Sequence, residues 1–177
     1  MACTNYTISG IAKGCKDSLG GIVKVWISND YDDVLAGVTV AENVLDLNAS
    51  TITKFKVFNF FKNTGSITSN LQVSDSAGSS WQTDLVLVFM KQETSKRLQI
   101  MGLAMGQTCI VVKDANGKYW FLGKDNAVEA SAGVAQSGTA ATDLNGYNIT
   151  LSDNSKELPF EITSTTTIEA LEAINVA

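Results

Sequence analysis

Short runs of β-branched and aromatic residues, closed off by Gly, Asn, Asp or Ser, recur along this chain and restrict it to a fold made mainly of strands. "GGIVKVWISN" (20–29) has the apolar continuity of a strand covered largely on both faces. "TITKFKVFNFFK" (51–62) alternates, with Thr53, Phe55, Val57 and Phe61 on one side and Ile52, Lys54, Lys56, Phe58 and Phe60 on the other. "WQTDLVLVFM" (81–90), "QTCIVVKD" (107–114) and "KYWFLGK" (118–124) are strong strands, and "VTVAENVLDL" (38–47) is a shorter one. Two more flank a small-residue loop within 126–153. "ELPFEIT" (157–163) closes the series, and its Pro159 suits an edge position.

One segment changes period. Thr94 or Ser95 can cap a helix in which Leu98, Met101 and Met105 recur at helical spacing, so a helix of about three turns is expected over 94–105. "GSITSNLQVSDSAGSS" (65–80) is polar, with a weak alternation at Ile67, Leu71 and Val73, and reads as an exposed strand or a long projecting loop. The tail "STTTIEALEAINVA" (164–177) forms a short helix or an extended arm, and Ile168, Leu171 and Ile174 make either one sticky. The expectation is a single domain over 1–177, a β-sandwich or barrel of about seven to nine strands with one flanking helix.

A chain of 177 residues can bury about 70% of its unfolded surface without a metal or disulfide. With 18 acids against 13 bases the net charge is −5, which disfavours stable binding to nucleic-acid phosphates or an anionic membrane. Cys3, Cys15 and Cys109 are odd in number and contain no C-x-x-C pair, as expected of reduced thiols. The N-terminal stretch "MACTNYTISGIAKGC" lacks the basic start and apolar core of a signal peptide, so export by that route is not expected. The sequons at Asn5, Asn48 and Asn148 then read as chance matches.

Chemistry is hard to find. The chain has no histidine, which removes the usual general base, zinc ligand and nucleophile partner. Asp114, Asn116 and Gly117 could open a calcium loop, but its fifth position would be Lys118 and its twelfth Asp125, and the glycine falls too early. Asn116-Gly117 instead supplies the positive φ angles of a tight hairpin turn. Asp30, Asp32 and Asp33 read as a solvated loop, and "GCKDSLGG" (14–21) does not have phosphate-loop spacing. Cys109 reads as an inert buried thiol, and Trp26, Trp81 and Trp120 as core residues rather than a stacking platform. No catalytic residue, cofactor or metal ligand is assigned.

"KGCKDSLGGIVKVWISNDYDDV" (13–34), "LVLVFMKQETSKRLQIMGLAMG" (85–106), "IVVKDANGKYWFLGKDNAVEA" (110–130) and "SGTAATDLNGYNITLSDNSKELPFEI" (137–162) occur in an order that resembles tail-tube-like virion proteins of phages infecting Bacteroidetes, including crAss-like phages. The resemblance implies a tail-tube-like sandwich whose inner strands close into a continuous barrel when copies pack side by side into a ring. It implies no catalytic residues. The partners it implies are further copies of the chain at six-fold or higher symmetry, adjacent tail or connector ring proteins, and double-stranded DNA passing through the lumen. The protein would be assembled in the host cytoplasm and located in the virion. Inter-subunit contacts are expected from arms at about 1–19 and 164–177 and from the polar segment, through Tyr6, Ile8, Ile67, Leu71, Val73, Ile168 and Leu171. The other class of reading is a non-enzymatic sandwich that binds carbohydrate on a host surface through exposed tryptophans.

Overall fold

A computed structural model of the chain describes residues 9–75 and 78–174. Tyr6 and Ile8 lie outside them. In chain order the elements are β1 (Ile22–Ser28), α1 (Tyr31–Leu35), β2 (Val38–Ala41), β3 (Val44–Leu47), α2 (Ala49–Ile52), β4 (Lys56–Phe58), β5 (Gly65–Ser74), β6 (Gly78–Met90) and α3 (Thr94–Met105). There follow β7 (Cys109–Asp114), β8 (Tyr119–Leu122), β9 (Glu129–Gln136), β10 (Gly146–Ser155), β11 (Phe160–Ile162) and α4 (Thr165–Glu172). The fold is mainly β, as expected, with eleven strands and four helices among the described residues.

The strands form two sheets. One has seven strands in the order β2-β3-β11-β8-β7-β1-β4, and the other has four in the order β5-β6-β10-β9. Every pairing is antiparallel except β11 with β3. Alternation along the strands then divides the core in two. Val25 and Ile27 of β1 and Ile110 and Val112 of β7 meet Leu85, Leu87, Ile149 and Leu151 of the smaller sheet. Trp26 and Val111 point the other way and are covered by Val34 of α1, Ile52 of α2 and Leu171 of α4. The centre of the larger sheet is therefore buried on both faces, which is why β1 and β7 read as nearly continuous apolar runs.

Two sequence expectations are corrected where local capping and turn chemistry prevail over β propensity. Glu42 and Asn43 take φ of 50° and 67°, so residues 38–47 are a tight two-strand hairpin rather than one strand. Residues 51–62 are not one long strand either. The Asn48 side chain accepts from the Thr51 N–H at 2.9 Å and from its hydroxyl at 2.6 Å, which caps α2 and leaves only three residues to β4. Phe55 is buried, but Phe61, expected on the same face, is exposed.

The helix over 94–105 is present, but its orientation differs from expectation. Leu103 is its buried residue, while Leu98 and Met105 are 59% and 85% exposed, and neither Thr94 nor Ser95 caps it: Glu93 occupies that position. Pro159 precedes the first residue of β11, an interior strand, where its missing N–H costs no ladder bond.

Of the two forms expected for the tail, the short helix is present, over Thr165–Glu172, and it is docked on the body rather than extended as an arm. The Trp26 indole N–H donates to the Leu171 carbonyl at 2.8 Å, and the Glu172 carboxylate accepts from Lys24 at 2.8 Å, Lys113 at 2.7 Å and the Tyr119 hydroxyl at 2.8 Å. Burial works against the charged carboxylate, but these donors outweigh it and hold the pKa at about 2.

Candidate functional site

Reactive groups are scattered. Among the described residues no group of three or more Cys, Asp or Glu side chains could hold a metal ion. Asp33 is paired with Lys54, while Asp30 precedes the first residue of α1. Burial pushes the Cys109 thiol up to about 12, aided by the Asp153 charge, so it stays protonated near neutrality. Asp153 is itself buried, which raises its pKa, and it accepts from the Gly123 N–H at 3.0 Å and the Ser155 hydroxyl at 2.6 Å. Those two bonds account for a buried carboxyl as a structural tie.

The tryptophans offer no shared platform. Trp26 is fully buried, and the other two are half-buried in different sheets. Trp120 sits opposite Val112 with its N–H on Asp114 at 3.3 Å, and Trp81 pairs with Leu71 and Ser155. The Asp114–Gly117 turn is a hairpin connection, with Asp114 Oδ1 accepting from the Asn116 and Lys118 N–H groups at 2.8 Å each and Gly117 at φ 80°.

What the fold does present is a four-stranded sheet with one uncovered face and two open edges. Along β6 and β10 the inward residues are buried, while Gln82, Asp84, Asn148, Thr150, Ser152 and Asn154 point away from the core. The four strands contain three acids, Asp84, Glu129 and Asp153, and no Lys or Arg. On the outward face Asp84 accepts from the Ser152 hydroxyl and from Gln82 Nε2 at 3.1 Å, and Ser152 Oγ lies 2.8 Å from Ser131 Oγ. Val86, Val88, Met90 and Val134 share this face, so the surface is mixed, with a weakly acidic polar half held in place by its own hydrogen bonds.

The two edges are β5, of ten residues, and β9, of eight. Each has a ladder partner on one side only. Neither contains Pro or Lys and β5 has no charge at all, while β9 carries Glu129 and a bulge at Ser131, so β5 is the less protected of the two against edge-to-edge pairing. Strand direction alternates across the whole sheet, so β5 and β9 run opposite ways. Copies related by rotation about an axis along the sheet would therefore bring β9 of one against β5 of the next in antiparallel sense.

The seven residues named from sequence are distributed unevenly around this geometry. Leu71 and Val73 are 52% and 72% exposed on β5, beyond the part of the hairpin that the larger sheet covers. Ile67 is half-buried against the sandwich core. Leu171 is fully buried in the helix-side core, so the expected contact through it is corrected, while Ile168 is half-buried against the same core. The edge role of β9 was missed from sequence. Its one available signal was an eight-residue strand of small residues with a single charge, Glu129. Beside that edge, α3 and β9 frame a groove of about 670 Å³ over Ala130, Gly133 and Ala135.

Comparison of the chain with models of known protein families and with curated proteins finds no match.

Proposed function

We propose that the chain is a non-enzymatic virion structural protein whose copies form a ring or tube segment of a phage tail. The observation that carries this reading is the four-stranded sheet: two long open edges of opposite direction on one sheet would let identical copies continue the ladder until it closes. Six copies would give roughly 24 strands, more than the roughly 16–18 that already enclose an aqueous channel. The face free of Lys and Arg would then line the bore, where phosphates find no cation to hold them and DNA slides. The projecting end of the β5–β6 hairpin, with Leu71 and Val73 exposed, is suited to contacts with adjacent tail or connector rings.

This reading is also supported by the sequence resemblance, and it places the mature protein in the virion after assembly in the host cytoplasm. The test is to concentrate the purified full chain and determine its mass by light scattering and its shape by negative-stain imaging. Annular particles whose mass is six or more subunits are expected. A strict monomer at high concentration, with no annular particles, would remove the reading.

A further inference from the structure

The two edges of the smaller sheet are complementary in more than direction. On β9 the residues of the core-facing side are small: Ala130 packs on the core, and Gly133 and Ala135 stand opposite the buried Ile149 and Tyr147. With Ile100, Met101 and Ala104 of α3 they line the groove beside that edge. On β5 the same side carries Gly65, Ile67, Ser69, Leu71 and Val73, since Ile67 packs on the core and the Ser69 hydroxyl lies 2.8 Å from that of the buried Thr83. Leu71 and Val73 are mostly exposed in their own subunit. One edge thus opens onto an apolar groove walled by small residues, and the other holds large apolar side chains bare on the same face.

The ladder registers restrict how these edges can meet. Ile67, Leu85, Leu151 and Ala130 lie in one row across the sheet, and Gly65, Leu87, Ile149 and Gly133 in another. A second copy level with the first would oppose β5 only to residues 129–133 of β9, because β5 overruns the sheet at its Ser74 end and β9 at its Gln136 end. Displacing the second copy by four residues sets all of β9 against residues 66–72. The displacement must be even, because an odd one would put core-facing residues of one strand beside outward-facing residues of the other. Over a four-stranded repeat about 19 Å wide, four residues advance the ladder about 14 Å, a tilt of roughly 35°, in the usual barrel range of about 35–45°. Two and six residues give roughly 20° and 47°, outside it. We infer that β5 of a second copy pairs with β9 in the four-residue register, its Leu71 opposite Ala130 and seated in the groove, so that α3 covers the seam between copies. The groove is continuous with the edge on which the ring reading places the neighbouring copy, and β5 brings to it no charge that burial would penalise.

The inference rests on the ring reading and deepens it, but the two fail separately. On the outward face Val134 of β9 is opposite Thr68 of the second copy in this register, and would be opposite Ser66 after a displacement of two or Asn70 after six. Within one copy β5 and β9 are three strand spacings apart, about 14 Å, too far for a disulfide, so only separate copies can be linked. Cys109 is buried and stays protonated, so a full-length Cys3→Ser, Cys15→Ser chain is a clean background. In it Val134→Cys is combined in turn with Ser66→Cys, Thr68→Cys and Asn70→Cys, and each chain is concentrated, oxidised and resolved by non-reducing denaturing electrophoresis. The Thr68→Cys pair should give at least about fivefold more linked multimer than either other pair. Adding Met101→Glu, at a residue 41% exposed in the single chain, should lower that yield about threefold or more while the thermal midpoint of the single chain stays within a few degrees. Linking that is absent, equal in all three pairs, or stronger through Ser66→Cys or Asn70→Cys overturns the register, and a yield indifferent to Met101→Glu overturns the seating under α3. Annular particles with the wrong linkage would leave the ring and remove the register; linked multimers of the Thr68→Cys pair that form no annular particles would do the reverse.

Discussion

At Glu172 three donors from three strands of the larger sheet, β1, β7 and β8, converge on one helical carboxylate, and they tie α4 over the apolar face formed by Trp26, Val111 and Phe121. Its pKa in the folded chain, about 2, is below the ordinary 4.5. Its contribution is therefore complete above pH 4.5 and is lost as pH falls through about 2. After discounting for partial solvent exposure this amounts to about 1–2 kcal/mol at neutrality. Glu172→Gln should lower stability in urea by that order at pH 7, and the difference from the unsubstituted chain should shrink by more than half at pH 3. A difference independent of pH would show that packing alone docks the helix. Gly146 tests the opposite kind of constraint. A Cβ there would lie 2.1 Å from the Phe89 carbonyl oxygen, a backbone atom with no freedom to withdraw. Gly146→Ala should cost at least about 2 kcal/mol, read as a lower urea midpoint, because β6 and β10 must separate at that point.

Among the elements, α3 and α4 differ in what they cover. Leu171 fills the helix-side core, so Leu171→Ala should cost about 2–4 kcal/mol, while Leu98→Ala on the exposed side of α3 should change thermal stability little. Equal losses at both positions would mean that α3 is packed differently from the fold described. The same contrast explains what could be read from sequence. β1, β6 and β7 were legible because each buries residues at a period of two or on both faces, and the 94–105 helix because its polar and apolar residues repeat at three to four. Which side of α3 turns inward was not legible, since Leu98, Met101 and Met105 form as good an apolar stripe as the one containing Leu103. The hairpin at Glu42-Asn43 was hidden because neither residue is glycine, and α2 because its only signal is the short Asn48–Thr51 cap. The open edges could not be read locally at all: an edge is defined by which strand is absent beside it, and that is a property of the sheet.

For the whole molecule, the proposal asks the smaller sheet to serve as a segment of something larger. Lysines placed on its open edges should then act on assembly and not on folding, because Leu71, Val73 and Ala135 are exposed in the single chain. Leu71→Lys with Val73→Lys, or Ala135→Lys alone, should leave the thermal midpoint within a few degrees and abolish annular particles. The most direct measurement is amide hydrogen exchange on the single chain and on assembled particles. If copies join through the four-stranded sheet, residues 65–74 and 129–136 both become protected on assembly. Particles that form while either edge continues to exchange as in the monomer would contradict the account, because the ladder between copies would not exist.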